Sequence, residues 1–258
     1  MKIVCLAENT TSRDDVGAEH GLSLYVEAAG KKILFDMGQT DLFMKNAEKL
    51  GVDLSKVDVA VLSHGHYDHG GGLSAFLKVN SKAPVYVSEN AFLPYYNGSD
   101  KYIGLDTSLR DCDRIVLTSE AQAIAEGVTL YPHSAVTLHR EILHGGLNKC
   151  CDGKLIPDDF LHEQYMLVEE NGKRILFSGC SHRGIYNIVK SFTPDVLIGG
   201  FHFSKLPLDE TLESYATDLS CFDTDYYTCH CTGEVQFEFM KPHVARLSYL
   251  HGGDVIEI

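Results

Sequence analysis

At about 150 residues per domain, a chain of 258 residues makes one large α/β domain or two small ones. Hydrophobic residues at 44% and charged residues at 22% exclude a disordered chain, a collagen and a membrane bundle. Lys and Arg number 22 against 36 Asp and Glu, a formal net charge of −14; this repels a phosphate backbone and argues against a nucleic-acid surface.

The apolar run from Ile3 to Ala7 is interrupted by Glu8 and Asn9, too soon for a secretory core. No stretch approaches the ~18–20 apolar residues of a membrane span. The expected location is therefore the cytoplasm, without a membrane partner. Leu22, Leu24, Val26 and Ala28 alternate with Ser23, Tyr25 and Glu27, predicting a half-buried strand, with residues 31–36 as its partner across Ala29 and Gly30. Leu42, Phe43, Ala47 and Leu50 recur at helical spacing, and Gly51 stops the helix. Residues 57–62 form an almost unbroken apolar run, the pattern of a strand buried on both faces. In the second half, 164–169 and 174–177 read as a strand pair turned at Asn171 and Gly172. A helix over 184–192, a buried strand over 195–201, a helix over 208–219, a short strand over 226–229 and a helix over 235–240 follow. Residues 97–159 show no clear period. Two strand-rich halves flanked by helices predict α/β architecture: two sheets face to face under helices, a four-layer αββα sandwich, read as one domain over 1–258.

The residues that carry chemistry follow the buried strand: Ser63-His64-Gly65-His66-Tyr67-Asp68-His69-Gly70-Gly71-Gly72. In a tight loop alternate side chains converge, so His64 and His66 can share one ion while Asp68 and His69 turn toward a second. Imidazole and carboxylate suit zinc, iron or manganese. Such groups fill a core poorly, because each buried polar atom needs a partner, and the C-terminal end of a buried strand is where α/β sheets place sites. A solvated histidine-rich turn is the alternative. The glycines are expected to let the backbone turn sharply into a helix and draw ligands together. Eight cysteines, at 5, 112, 150, 151, 180, 221, 229 and 231, include no CxxC pair and read as free thiols or metal ligands. With no GxSxG elbow and no phosphate-cradling loop, the nucleophile falls to the metals.

His64, His66, Asp68 and His69 resemble the HxHxDH signature of the metallo-β-lactamase fold. The stretches Glu19-His20-Gly21-Leu22-Ser23-Leu24, Leu34-Phe35-Asp36-Met37-Gly38, Gly179-Cys180-Ser181-His182 and His230-Cys231-Thr232-Gly233 extend the likeness over nearly the whole chain. They are similar to the subgroup of 7,8-dihydropterin-6-methyl-4-(β-D-ribofuranosyl)aminobenzene-5'-phosphate synthase-like proteins. The resemblance implies the four-layer αββα fold and two divalent metal ions. It implies His162 as a further ligand on the first ion and His230 as the last ligand on the second. Cys180 stands where most superfamily hydrolases carry a bridging Asp; as a ligand its sulfur favours zinc, and as a plain buried thiol it does neither. His182 reads as a ligand, as a substrate contact beside Arg183 at a helix N-terminus, or as an exposed residue behind a Ser181 cap. His202 reads as a substrate contact, and Asp36 as a residue orienting a ligand histidine from behind.

The expected function is a dinuclear metal-dependent hydrolase that attacks a small phosphorylated or anionic metabolite through a metal-activated water. Asp68 and His182 would be catalytic, with Arg183, His182, His202 and Lys101 on the anion. Zinc is the expected ion, with manganese, iron and magnesium open, as is homo-oligomerisation. Taken literally, the subgroup implies a phosphoryl or pterin transferase that displaces pyrophosphate. The reading from another class is a di-iron or thiol-based redox or sensor protein using Cys180, Cys221, Cys229 and Cys231.

Overall fold

A computed structural model describes residues 1–258. One seven-stranded sheet runs in the order Val255–Glu257, Lys2–Ala7, Ser23–Ala28, Lys31–Phe35, Val59–Leu62, Val85–Ser88, Ile115–Thr118. The other runs Leu247–Tyr249, Asp225–Thr228, Val196–Ile198, Lys173–Phe177, Gln164–Glu170, Val128–Pro132, Gln122–Ala125. The first sheet begins antiparallel and turns parallel where Lys31–Phe35 meets Val59–Leu62; the second, in the order given, is parallel as far as Val196–Ile198 against Lys173–Phe177 and antiparallel beyond. The parallel strands end on a common rim, so the loops after them meet there.

Alternation along each strand sorts side chains to two faces. Ile33, Phe35, Val59 and Val61 meet Val168, Ile175, Phe177 and Ile198 between the sheets, with the Phe35 and Phe177 rings 5.5 Å apart. Leu34, Ala60 and Leu62 face outward onto Phe43 and Ala47 of helix Leu42–Lys49 and Leu73 and Phe76 of helix Leu73–Val79. On the far side Leu176, Leu197 and Tyr226 pack on Ile185, Ile188, Leu212, Leu219 and Phe237, from helices Ile185–Phe192, Glu210–Ser220 and Glu234–Met240. The layers are helix, sheet, sheet, helix, the αββα sandwich the alternation predicts.

Two elements differ from the sequence reading. The strand expected over 195–201 stops at Ile198; Gly199, with φ +147°, and Gly200 leave the sheet, and a Cβ on Gly200 would lie 2.3 Å from Cys231 Sγ. Residues 97–159, unreadable in advance, supply strands to both large sheets and most of a third, ordered Lys154–Pro157, Leu147–Cys151, Tyr95–Asn97, Lys101–Tyr102. All four residues of Lys154–Pro157 are exposed, so no alternation marks it. No helix is long and apolar enough to cross a membrane, and all eight cysteines are free.

Candidate metal centre

The loop after Val59–Leu62 is anchored from behind by Asp36, which follows the strand Lys31–Phe35 at φ +60°. Its buried carboxylate accepts from Ser63 N–H at 2.7 Å, from Ser63 Oγ at 2.7 Å and from His69 Nδ1 at 2.6 Å. Because the Ser63 hydroxyl donates to Asp36, it accepts from His64 Nδ1, 2.8 Å away. One carboxylate thus fixes the Nδ1–H of two imidazoles and directs their Nε2 atoms inward. The glycines act differently from the expectation. Gly71 and Gly72 have ordinary right-handed dihedrals, so no sharp turn needs them. Space does: a Cβ on Gly71 would come within 2.2 Å of the Gln39 carbonyl, and one on Gly72 within 2.1 Å of the Met37 carbonyl.

The structure corrects the expectation for His162. Its Nδ1 accepts from Gly65 N–H at 2.9 Å and its Nε2 donates to Asp158 at 3.0 Å, so both nitrogens are committed and the ring braces the loop. The third imidazole beside His64 and His66 is His182, and the donor atoms of these three lie within 4.8 Å of one another. His182 stacks on Phe160, with ring centroids 4.5 Å apart, and both its nitrogens are buried without a partner. The helix-terminus anion site expected at His182 and Arg183 is filled by protein: buried Glu163 accepts their backbone N–H groups at 2.6 and 2.9 Å. Arg183 donates to the Asp159 carbonyl at 3.0 Å and does not reach the cavity.

Cys180 Sγ sits between the two halves. It is 3.1 Å from His69 Nε2 and groups with His64 and His69, with His182 and His202, and with His230 and Cys231. His230 enters from the turn after Asp225–Thr228; its Nδ1 donates to Asn9 Oδ1 at 2.8 Å, leaving Nε2 3.4 Å from Asp68 Oδ2. The exposed His20 touches the same carboxylate oxygen at 3.2 Å. His202, at φ +58°, lies 4.3 Å from the His182 ring. The fold therefore brings together His64, His66, Asp68, His69, Cys180, His182, His202 and His230 of the expected residues; His162 packs beside them, its ring 4.9 Å from that of His66, with both nitrogens already engaged, and Arg183 points elsewhere.

Buried nitrogens without partners cost about 1–3 kcal/mol each, yet His64 Nε2, His66 Nε2, both His182 nitrogens, His202 Nδ1 and His230 Nε2 have none. A cation answers that need, so the donor set fits divalent metal. Burial pushes His64 and His182 well below their ordinary pKa and His66 to about 4, which keeps them in the neutral form a metal requires. Burial opposes charge on His69 too, but the Asp36 charge and hydrogen bond outweigh it and lift the pKa to about 9. That basicity serves an ion as well as a proton. Burial would raise the Asp68 carboxyl; hydrogen bonds from His20 and His230 and the charge of His69 hold it well below its usual value instead.

A cavity of about 120 Å³ opens over these groups. Asp68 is the one acid among its lining residues, while Lys101 and Lys205 are both cationic and Asn97 adds an amide. Lys101 donates to Tyr67 Oη at 3.4 Å and Lys205 to the Gly145 carbonyl at 3.2 Å; neither forms a salt bridge. Sequence reasoning missed Lys205, Asp158 and Glu163, and placed Cys231 only among the free thiols or metal ligands. Glu163, directly after a histidine and before a buried strand, was the one visible signal among them.

The match to the metallo-β-lactamase superfamily model spans residues 16–219. An uncharacterised protein of Methanocaldococcus jannaschii is 31% identical over 242 residues, 90% of each chain. The 7,8-dihydropterin-6-methyl-4-(β-D-ribofuranosyl)-aminobenzene-5'-phosphate synthase of the same organism is 25% identical over 284 residues, covering 100% of this chain and 96% of that one. The solved structure of Tm1679, a metal-dependent hydrolase of the β-lactamase superfamily, superposes with a TM-score of 0.85 at 28% identity, covering 100% and 99% of the two chains. With the fold, the HxHxDH loop and these relatives in agreement, the chain belongs to the metallo-β-lactamase superfamily.

Proposed function

We propose that residues 1–258 form one metallo-β-lactamase-like domain that works as a dinuclear metal-dependent hydrolase of a small phosphorylated or otherwise anionic metabolite. His64, His66 and His182 hold one ion, Asp68, His69 and His230 the other, and Cys180 lies between them and favours zinc. The observation that carries this reading is the set of buried imidazole nitrogens that converge without partners. Divalent ions there supply an activated water and positive charge at the scissile group.

The chain's own residues do the rest. Asp36, Ser63 and Asn9 hold His69, His64 and His230 in one tautomer, so the donors need no reorganisation. Asp68, ionised at neutral pH, accepts from the attacking water and steers it. Lys101, Lys205 and Asn97 hold the anion at the cavity mouth, and the third sheet, through Asn97, Lys101 and Leu147, narrows the access of bulk water. The full-length likeness to a pterin-ribofuranosyl synthase supports a second reading, a transferase displacing pyrophosphate from a pterin at the same centre.

Elemental analysis of protein purified without added metal and turnover of bis(p-nitrophenyl) phosphate test the proposal. His66→Ala is expected to lose bound metal and turnover together; an active His66→Ala variant defeats the mechanism.

A further inference from the structure

The reaction above gives no use to Cys231, a buried thiol on the turn His230–Thr232. The donor atoms of Cys231, Cys180 and His230 lie within 4.8 Å of one another. Donors 2.0–2.3 Å from a common ion are separated by at most about 4.6 Å, so small side-chain adjustments gather these three. His230 Nε2 is buried there without a partner, and His69 Nε2 stands 3.1 Å from Cys180 Sγ. The backbone makes room for the sulfur: at position 200 only a glycine leaves it unobstructed. The His202 N–H donates to Cys231 Sγ at 3.2 Å, an interaction that favours a thiolate. Cys229, two residues earlier, packs instead into the apolar core between the sheets.

We propose that Cys231 is a metal ligand, its thiolate joining Cys180, His69 and His230 around the second ion and selecting zinc or another soft divalent ion over manganese and magnesium. The inference rests on the two-ion reading above. Each thiol releases its proton to solvent as the ion binds, and no electron is transferred. Two thiolates on one ion suit soft metals, whereas manganese and magnesium prefer an all-oxygen shell.

Cobalt-substituted protein gives a readout independent of turnover. The near-ultraviolet thiolate-to-cobalt charge-transfer band is expected to fall by about a third in Cys231→Ser, as three cobalt–sulfur bonds, two to the Cys180 between the ions and one to Cys231, become two, and to persist in Cys229→Ser. In competitive dialysis the Cys231→Ser protein is expected to take up manganese that the unmodified protein refuses. A charge-transfer band unchanged in Cys231→Ser overturns the assignment, as does a Cys180–Cys231 disulfide found by mass spectrometry in metal-loaded protein. Should Cys231→Ser not fold, zinc-edge X-ray absorption on the unmodified protein decides. More than one sulfur per zinc at ~2.3 Å supports the assignment, and one or fewer refutes it, since a bridging Cys180 alone gives one. Absence of hydrolysis with these metal signatures intact would count against the hydrolase reading and leave Cys231 assigned.

Discussion

Asp36→Asn isolates how a single buried carboxylate prepares the centre. Asparagine keeps the shape and tolerates the positive φ of this position, but removes the charge that lifts His69 to about 9. A rise from an ordinary value of 6.5 to about 9 corresponds to about 3 kcal/mol, of which about 2.5 kcal/mol is present at pH 7. The sign follows from proton counting. Between pH 6.5 and 9 folded metal-free protein holds a proton on His69 that the unfolded chain has released. The stabilisation is therefore complete below pH 6.5 and lost as pH rises through about 9. Urea unfolding in chelator at pH 6.5, 7.5 and 9 should reveal this alkaline loss in the unmodified protein. In Asp36→Asn the loss should vanish, with stability near pH 7 lower by about 2–3 kcal/mol. With metal present the same substitution should weaken zinc binding by about 10–100-fold, read by competition with a fluorescent chelator. Matching unfolding curves across that pH range, with unchanged zinc affinity, would refute the reasoning.

The acid side should slope the other way. His66, held at about 4, stays neutral while the unfolded chain protonates below 6.5, so metal-free stability should fall by about 3 kcal/mol from pH 6.5 to 4, and His66→Gln should flatten that fall. His162→Ala should cost about 3–5 kcal/mol in chelator, since it strands the Asp158 carboxylate. His182→Ala should change metal-free stability by less than about 1 kcal/mol yet lose metal, and equal metal loss without destabilisation in His162→Ala would reverse the two assignments. Lys101→Ala and Lys205→Ala should each raise KM for bis(p-nitrophenyl) phosphate about 5–10-fold at unchanged kcat, on the ~1 kcal/mol scale of an exposed ion pair. Equal changes with neutral p-nitrophenyl acetate would mean the lysines act through structure instead of charge.

The almost unbroken apolar run from Val57 to Leu62, interrupted by Asp58 alone, already specified a strand with two buried faces, because both faces of its sheet are covered, one by the other sheet and one by helices. The histidine loop that follows was legible for the same reason: adjacent residues share one backbone, and their local spacing fixes which side chains can converge. Which distant histidine joins them is a different question. His162 and His182 are both buried, both follow or precede strands of the second sheet, and differ only in what stands beside each ring. Asp158 and Gly65 claim the nitrogens of His162, while Phe160 leaves those of His182 free. Lys205 and the third sheet were hidden likewise, and Cys231 could not be told from the other thiols, since their roles depend on neighbours brought from remote parts of the chain. Local chemistry and periodicity determined the layers and the histidine loop; the long-range hydrogen bonds of the folded chain decided which imidazoles remain open to an ion.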